Sequence, residues 1–319
     1  MDTSHRRFQG HTDLRLALLC AVAEAPSSTC ATLTALTGRS TMTVKRAVDA
    51  LVAQQTLIRE KRPTAEDGRW GYRLSLHPRV HRLVLDMTSA AMRGYAFCGC
   101  STVPVIAEHL FNPAMTLEEN LRLLTNHLVM AAFAAPGVLP SASDAPLISV
   151  AILLPYGEMS RKEIHTGDRH FREAYRRAMA TRGERLWDDL GDVLHVMLGT
   201  PPTHPIVAML PTEAVITALS HHRDARRATT AVVLDSTPTP HATLHVRPTV
   251  DDAWFIPEGS ATIPVASLRV KSSPLITPQV VLTHGVRLSD GSAHTAAEVR
   301  LALPPRVVGA AYALLSTWL

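Results

Sequence analysis

Thr29-Cys-Ala-Thr-Leu-Thr-Ala-Leu36, Thr37-Gly-Arg-Ser40 and Thr41-Met-Thr-Val-Lys-Arg-Ala-Val-Asp-Ala-Leu-Val-Ala-Gln54 run consecutively, and Leu57-Ile-Arg59 and Arg69-Trp-Gly-Tyr-Arg-Leu-Ser-Leu76 come after them. Val44, Ala47, Val48, Leu51 and Val52 recur at the spacing of one helix face, with Thr41, Thr43, Lys45, Arg46 and Asp49 polar between them. Ser40 suits an N-cap because its hydroxyl can accept from a free backbone N–H, and Gly38 suits a close turn between two helices. Leu57-Ile58 and Tyr72–Leu76 read as strands, joined by a tip, Lys61-Arg-Pro-Thr-Ala-Glu-Asp-Gly-Arg69, that carries Pro, Asp-Gly and three cations. Two short helices, a tight turn and a two-stranded ribbon make a winged helix-turn-helix, which sets its second helix in the major groove of double-stranded DNA.

Within that module the DNA-facing candidates follow from position. Thr41, Thr43, Lys45 and Arg46 occupy the first turns of the second helix and are expected at base edges. Arg39 and Ser40 sit at its N-terminus, where free N–H groups and the helix dipole favour phosphate. Lys61, Arg62 and Arg69 on the wing are expected on backbone phosphate. Charge distribution agrees. Residues 1–82 hold 13 Lys/Arg against 7 Asp/Glu, a net +6, whereas the rest holds 19 against 21, a net −2. The basic surplus therefore sits with the helix-turn-helix, as contact with a polyanion requires.

Working outward, Asp13–Ala23 is an apolar helix with Thr12 or Asp13 as cap and Pro26 after its end. His77-Pro78 is the expected hinge, since a residue before proline is pushed out of helical geometry. Val80–Met87, Met92–Cys98 and Val103–Phe111 read as a three-stranded meander. Thr116–Ala132 is an amphipathic helix opened by a Thr116/Glu119 capping box, and Leu147–Leu154 is a buried strand. Residues 158–200 read as mostly helical, with His170–Arg185 a solvated face. Pro205–Leu210 is a strand, Thr212–His222 a helix, and Thr230–Asp235 with Ala242–Arg247 a hairpin. Thr249–Ser273 is irregular, Gln279–Gly285 a short strand, and Arg306–Leu319 an apolar closing helix. The order is that of a mixed α/β chain.

Four cysteines, Cys20, Cys30, Cys98 and Cys100, are too few and too unevenly spaced for a secreted disulfide framework. Cys98-Gly-Cys100 lacks a second Cys or His pair nearby, so no metal site is expected there. The N-terminus has no apolar stretch behind its charges, and no run of about 18 apolar residues occurs, so a cytoplasmic chain without a membrane span is expected.

Several of these segments, taken in order, resemble the ROK group of repressors, open-reading-frame products and sugar kinases. Tyr72-Arg-Leu-Ser-Leu-His-Pro78 is similar to the wing and linker of its regulators, and His81–Asp86 to the first strand of the first lobe. Leu147–Gly157 resembles the strand entering a Pro-Gly turn, and Ile206–Val215 lies where the group has its Asn-Asp-Ala helix. Gln279–Gly285 resembles its late Gly-ended strand and Val307–Leu315 its closing helix. The resemblance implies a winged helix-turn-helix over 1–78 and a two-lobed actin-like ATPase fold. The first lobe would span 79–158 plus 305–319, and a second, shortened lobe 159–304.

The departures bear on activity. The first phosphate turn of such kinases is Asp-x-Gly-Gly-Thr; here Asp86-Met-Thr-Ser-Ala90 has no glycine, so backbone N–H groups cannot approach a phosphate closely. The second Gly-rich turn is replaced by Ser236-Thr-Pro-Thr-Pro240, whose prolines have no N–H to donate. The catalytic Asp after Asn is replaced by Met209-Leu-Pro-Thr-Glu213, and the zinc cluster is missing. Phosphoryl transfer depends on each of these for positioning or charge stabilisation. The resemblance and its departures together imply a DNA-binding regulator, a repressor by analogy, whose lobes are not an enzyme and take no cofactor. Two other readings stay open: a module whose winged helix contacts protein, and a sugar kinase with degenerate motifs.

Partners are expected to be duplex DNA and a second copy, because symmetric half-sites multiply the few contacts of one winged helix. The apolar segments Leu121–Phe133 and Val307–Leu319 look longer than one lobe needs, as a dimer interface would be. A sugar-like effector is possible in kind but unnamed. His221, His222, Asp251, Asp252 and Glu258 are polar groups that could line its cleft, or equally stand on surface loops.

Overall fold

The computed structural model describes residues 4–63, 70–87, 91–133, 147–153, 206–209, 211–221, 230–235, 241–246, 263–264, 279–283, 296–300 and 303–319. The expected helices within 158–200, the Pro238-Thr-Pro240 turn and most of 249–273 lie outside those residues.

Three helices open the chain: α1 (Ser4–Glu24), α2 (Cys30–Thr37) and α3 (Thr41–Ala53). A ribbon follows, β1 (Leu57–Pro63) antiparallel to β2 (Trp70–Leu76). Helix α1 begins nine residues before the expected Asp13, so the polar run Ser4–Thr12 continues the helix rather than preceding it. Thr29 caps α2 by accepting from the Thr32 N–H at 3.1 Å. Gly38 ends α2 at φ 64°, the left-handed region, and its N–H reaches the Thr34 carbonyl at 3.0 Å. Because a Cβ at Gly38 would meet nothing within 4 Å, glycine is needed there for its backbone alone. Two residues later Ser40 caps α3.

The first sheet contains β3 (Val80–Asp86), β4 (Ala91–Cys98), β5 (Val105–Leu110), β6 (Leu147–Leu153) and β7 (Ile206–Met209), in the order β5-β4-β3-β6-β7. β3, β4 and β5 form the expected antiparallel meander, while β6 lies parallel to β3 and β7 parallel to β6. Strand alternation sends side chains to two covered faces. Leu83, Leu85, Ile148, Val150 and Ile152 pack under α4 (Leu117–Phe133). Val84, Tyr95, Phe97, Ala151 and Leu153 pack on the other face, beneath α6 (Pro305–Leu315), with Ala214 of α5 (Pro211–His221) in the same cluster. Every residue of β3 is buried, as a central strand covered on both sides requires. The capping box at α4 is present: Glu119 accepts from the Thr116 N–H at 2.7 Å and Thr116 from the Glu119 N–H at 3.2 Å.

A second sheet, β10-β9-β8-β11-β12, is antiparallel throughout. It comprises β8 (Thr230–Asp235), β9 (His241–Val246), β10 (Ile263–Pro264), β11 (Gln279–Thr283) and β12 (Ala296–Arg300). β7 and α5 thus join the first sheet's layers, although the 159–304 division gives them to the second lobe.

Two features of the packing bear on the apolar segments and on the hinge. Leu121–Phe133 and Val307–Leu319 spend most of their apolar surface inside the chain, with Met130 left exposed. Leu121, Leu124, Leu128 and Phe133 are spent under the first sheet, and Val307, Ala310 and Leu314 are buried on the other side. The N-terminal module shares its core with later segments. Leu14, Leu18, Leu33, Val44, Val48, Leu51, Leu74 and Leu76 share one core with Val80 of β3 and with Tyr312, Leu315 and Trp318 at the C-terminus. The Tyr312 hydroxyl donates to the Glu24 carboxylate, tying α6 to the end of α1.

Candidate nucleic-acid interface

Helix α3 buries Val44, Val48 and Leu51 and turns Met42, Lys45, Arg46 and Asp49 outward. These four recur at i, i+3, i+4 and i+7, so they form one stripe along the exposed face. Lys45 and Arg46 stand where expected. Thr41 is exposed at the first turn. Thr43 is half-buried, and its hydroxyl lies 2.9 Å from that of Ser40, whose oxygen accepts from the Thr43 N–H at 3.2 Å. Ser40 and Thr43 therefore satisfy the helix terminus first, with Arg39 exposed beside them. Arg69 lies outside the described residues.

The ribbon adds Lys61 and Arg62, both exposed. Arg62 donates to Glu60 at 2.7 Å on its own strand, an exposed pair that holds the side chain along the ribbon. Arg59 binds Asp49 of α3, and its guanidinium also stands 5.7 Å from the Tyr72 ring centroid. That bridge joins the α3 stripe to the ribbon in one surface. Arg39, Lys45, Arg46 and Lys61 meet no carboxylate among the described residues. The positive charge on this face is consequently open to an external anion.

Sequence reasoning passed over Met42, Asp49 with Arg59, Trp70 and Tyr72. The ribbon's parity held a signal for two of them. Trp70 and Tyr72 share a face with Leu74 and Leu76, yet are 65% and 59% exposed because the helices end before them.

Several charged groups elsewhere turn inward, while Arg93 and Glu108 pair on the surface. Asp86, first residue of the expected phosphate turn, is buried and accepts from Arg306 Nε at 2.8 Å. Four residues earlier on the same face of β3, Arg82 is buried against the Phe97 ring at 5.1 Å, and burial lowers its pKa to about 10. The nearby Tyr312, Cys20 and Cys98 oppose that shift. His81 faces the opposite side, edge-on to Phe133 at 5.1 Å; burial, with the Arg82 charge, lowers it to about 4. Burial pushes the Cys20 thiol well up, so it is not a reactive thiolate. His221 of the expected cleft turns its ring toward Tyr312, at 6.3 Å, while His222, Asp251, Asp252 and Glu258 lie outside the described residues. Among the described residues no cluster of His, Cys, Asp or Glu has the makings of a metal site, and no helix is long and apolar enough to cross a membrane.

No family model matches this chain, and no curated protein matches it in sequence. Solved structures give distant likenesses. One is a ROK family transcriptional regulator described as a homolog of the E. coli MLC protein, at TM-score 0.40 and 10% identity. It covers 79% of this chain, which spans 57% of that chain's length. Another is YeaZ from Pseudomonas aeruginosa, at TM-score 0.25 and 12% identity, over 61% of this chain and 71% of that one. At these scores neither likeness bears weight, and the functional reading rests on the residues of this chain.

Proposed function

We propose that this chain is a DNA-binding transcriptional regulator with a winged helix-turn-helix at its N-terminus and a non-catalytic two-lobed body. The observation that carries the reading is the exposed stripe of α3, with Lys45 and Arg46 unpaired, flanked by Arg39 and Lys61. A helix with a buried apolar face and open cations on the other is built to enter a polyanionic groove. Lys45 and Arg46 reach base edges, while Arg39, Lys61, Arg62 and Arg69 hold phosphate. Ser40 and Thr41 set the helix N-terminus against the backbone.

The body serves for assembly and transmits to the DNA-binding module through the shared core at Tyr312. Two considerations support a non-catalytic body: phosphate turns without glycine, and an Asp86 committed to Arg306. It acts as a homodimer on two-fold sites about one helical turn apart, takes no nucleotide cofactor, and works in the cytoplasm. An anisotropy titration with random-sequence duplex at two salt concentrations tests the DNA reading. A melting shift with millimolar Mg-ATP would restore the kinase reading, since a ligand at 100 times its dissociation constant adds about 2.7 kcal/mol. The exposed Met42, Trp70 and Tyr72 favour a second reading, a winged helix that contacts protein. Salt-independent failure to bind any duplex would select it.

A further inference from the structure

Resting on the DNA-binding reading above, we infer that Trp70, supported by Tyr72, is a groove-contacting residue of the ribbon, packing its indole against the sugar edges of the minor groove beside the major groove that α3 enters. Trp70, Tyr72, Leu74 and Leu76 alternate onto one face of β2. Leu74 and Leu76 are each 1% exposed and close the module's core, so the same face runs on past the helices into solvent. Trp70 lies four residues beyond Leu74, which at the rise of a strand is about 13 Å. That reach is comparable with the roughly 12 Å width of the major groove, so the end of the ribbon extends from the module on the scale of one groove.

The surroundings favour nucleic acid over a protein partner. Lys61 is cross-strand from Tyr72 and Arg59 from Leu74, so both cations share the aromatics' face, with Pro63 opposite Trp70 and Arg62 on the other face. Protein interfaces are depleted in lysine at their centres, whereas aromatic faces between cations suit a sugar-phosphate chain. Arg59 couples the two halves of the surface. It holds Asp49 on α3 and lies over Tyr72, fixing the ribbon's angle to the helix. The indole supplies apolar contact area without a charge, so its contribution is insensitive to salt, unlike that of Lys61.

Full-length protein and a 20-base-pair random-sequence duplex, followed by both anisotropy and tryptophan emission, test this. Of the four tryptophans, Trp70 is 65% exposed, so its emission responds to a groove. Expected is a change in emission on adding duplex that disappears in Trp70→Phe, and a loss of affinity of about tenfold in Trp70→Ala with an unaltered salt slope. Lys61→Ala should instead flatten the slope by about one. Salt-dependent binding with wild-type affinity in Trp70→Ala, and emission untouched by DNA, would overturn the inference and leave the DNA reading standing. Absence of any salt-dependent binding would remove both. The substitutions are on an exposed face, and unchanged melting would show that the variants fold.

Discussion

Gly309→Ala is the substitution whose outcome the packing determines most sharply. Gly309 lies where α6 crosses α5, and a Cβ built there would stand 1.5 Å from the Ala214 carbonyl oxygen and 2.4 Å from its carbon. Both are backbone atoms of a helix, so no side-chain rotation relieves the overlap. The two helices must part by roughly 1.5–2 Å, and overpacking of this kind costs about 3 kcal/mol. Alanine's better helix propensity returns about 1 kcal/mol, leaving a net loss of about 2 kcal/mol. For a chain of this size the melting temperature should fall by roughly 3 °C. Gly94→Ala is the control. Its neighbours are Leu128 side-chain atoms, Cδ2 at 3.0 Å and Cβ at 3.3 Å, which need give by only a few tenths of an ångström, and its melting should fall less than that of Gly309→Ala. A Gly309→Ala protein that melts at or above the wild-type temperature in scanning calorimetry would refute the helix–helix contact.

Other outcomes follow from buried charge. His81, lowered to about 4 by burial and the Arg82 charge, stays neutral in the folded chain while the unfolded chain takes up a proton near pH 6.5. Stability is therefore complete above pH 6.5 and lost as pH falls toward 4. From pH 7 to 5 the wild type should lose about 2 kcal/mol more than His81→Leu in denaturant titrations, and equal losses would refute this. Asp86→Ala removes the carboxylate that Arg306 meets in the interior and should cost about 3 kcal/mol, read from the same titrations at pH 7. Tyr312→Phe deletes the hydroxyl that donates to Glu24, and hydrogen exchange should quicken at the end of α1, by about 1 kcal/mol, with α4 unchanged.

Local patterns carried much of this fold. The apolar spacing in α3, Ser40 as cap, Gly38 at a positive φ and the capping box of α4 are short-range features that a sequence displays directly. The meander and β6 were legible as apolar runs. Longer-range facts were not. β7 follows a long intervening stretch, and nothing local tells that it lies parallel to β6 in the first sheet. β12, Ala-Ala-Glu-Val-Arg, lacks the β-branched alternation of a strand and is held by pairing with β11. The start of α1 misled because Thr12 and Asp13 have the chemistry of caps, yet the helix continues through them. In the interface, periodicity exposed Lys45 and Arg46. Which hydroxyls remain free depends on the cap geometry that joins Ser40 to Thr43. The exposure of Trp70 depends on where three helices stop short of a ribbon, a tertiary fact.

The central claim, that the open cations of α3 and the ribbon meet duplex DNA, is tested most directly by fluorescence anisotropy of a labelled random-sequence duplex at 50 and 200 mM salt, for wild type and for Lys45→Ala with Arg46→Ala. On a random-sequence duplex, where no base is specifically read, Lys45 and Arg46 also neutralise phosphate, and four unpaired cations per copy, Arg39, Lys45, Arg46 and Lys61, predict a loss of affinity on the order of 100-fold per copy between the two salts. The double variant should bind more weakly, with its salt slope smaller by about 1.8. Wild-type binding by the double variant, or no binding by either protein at 50 mM salt, would contradict the account.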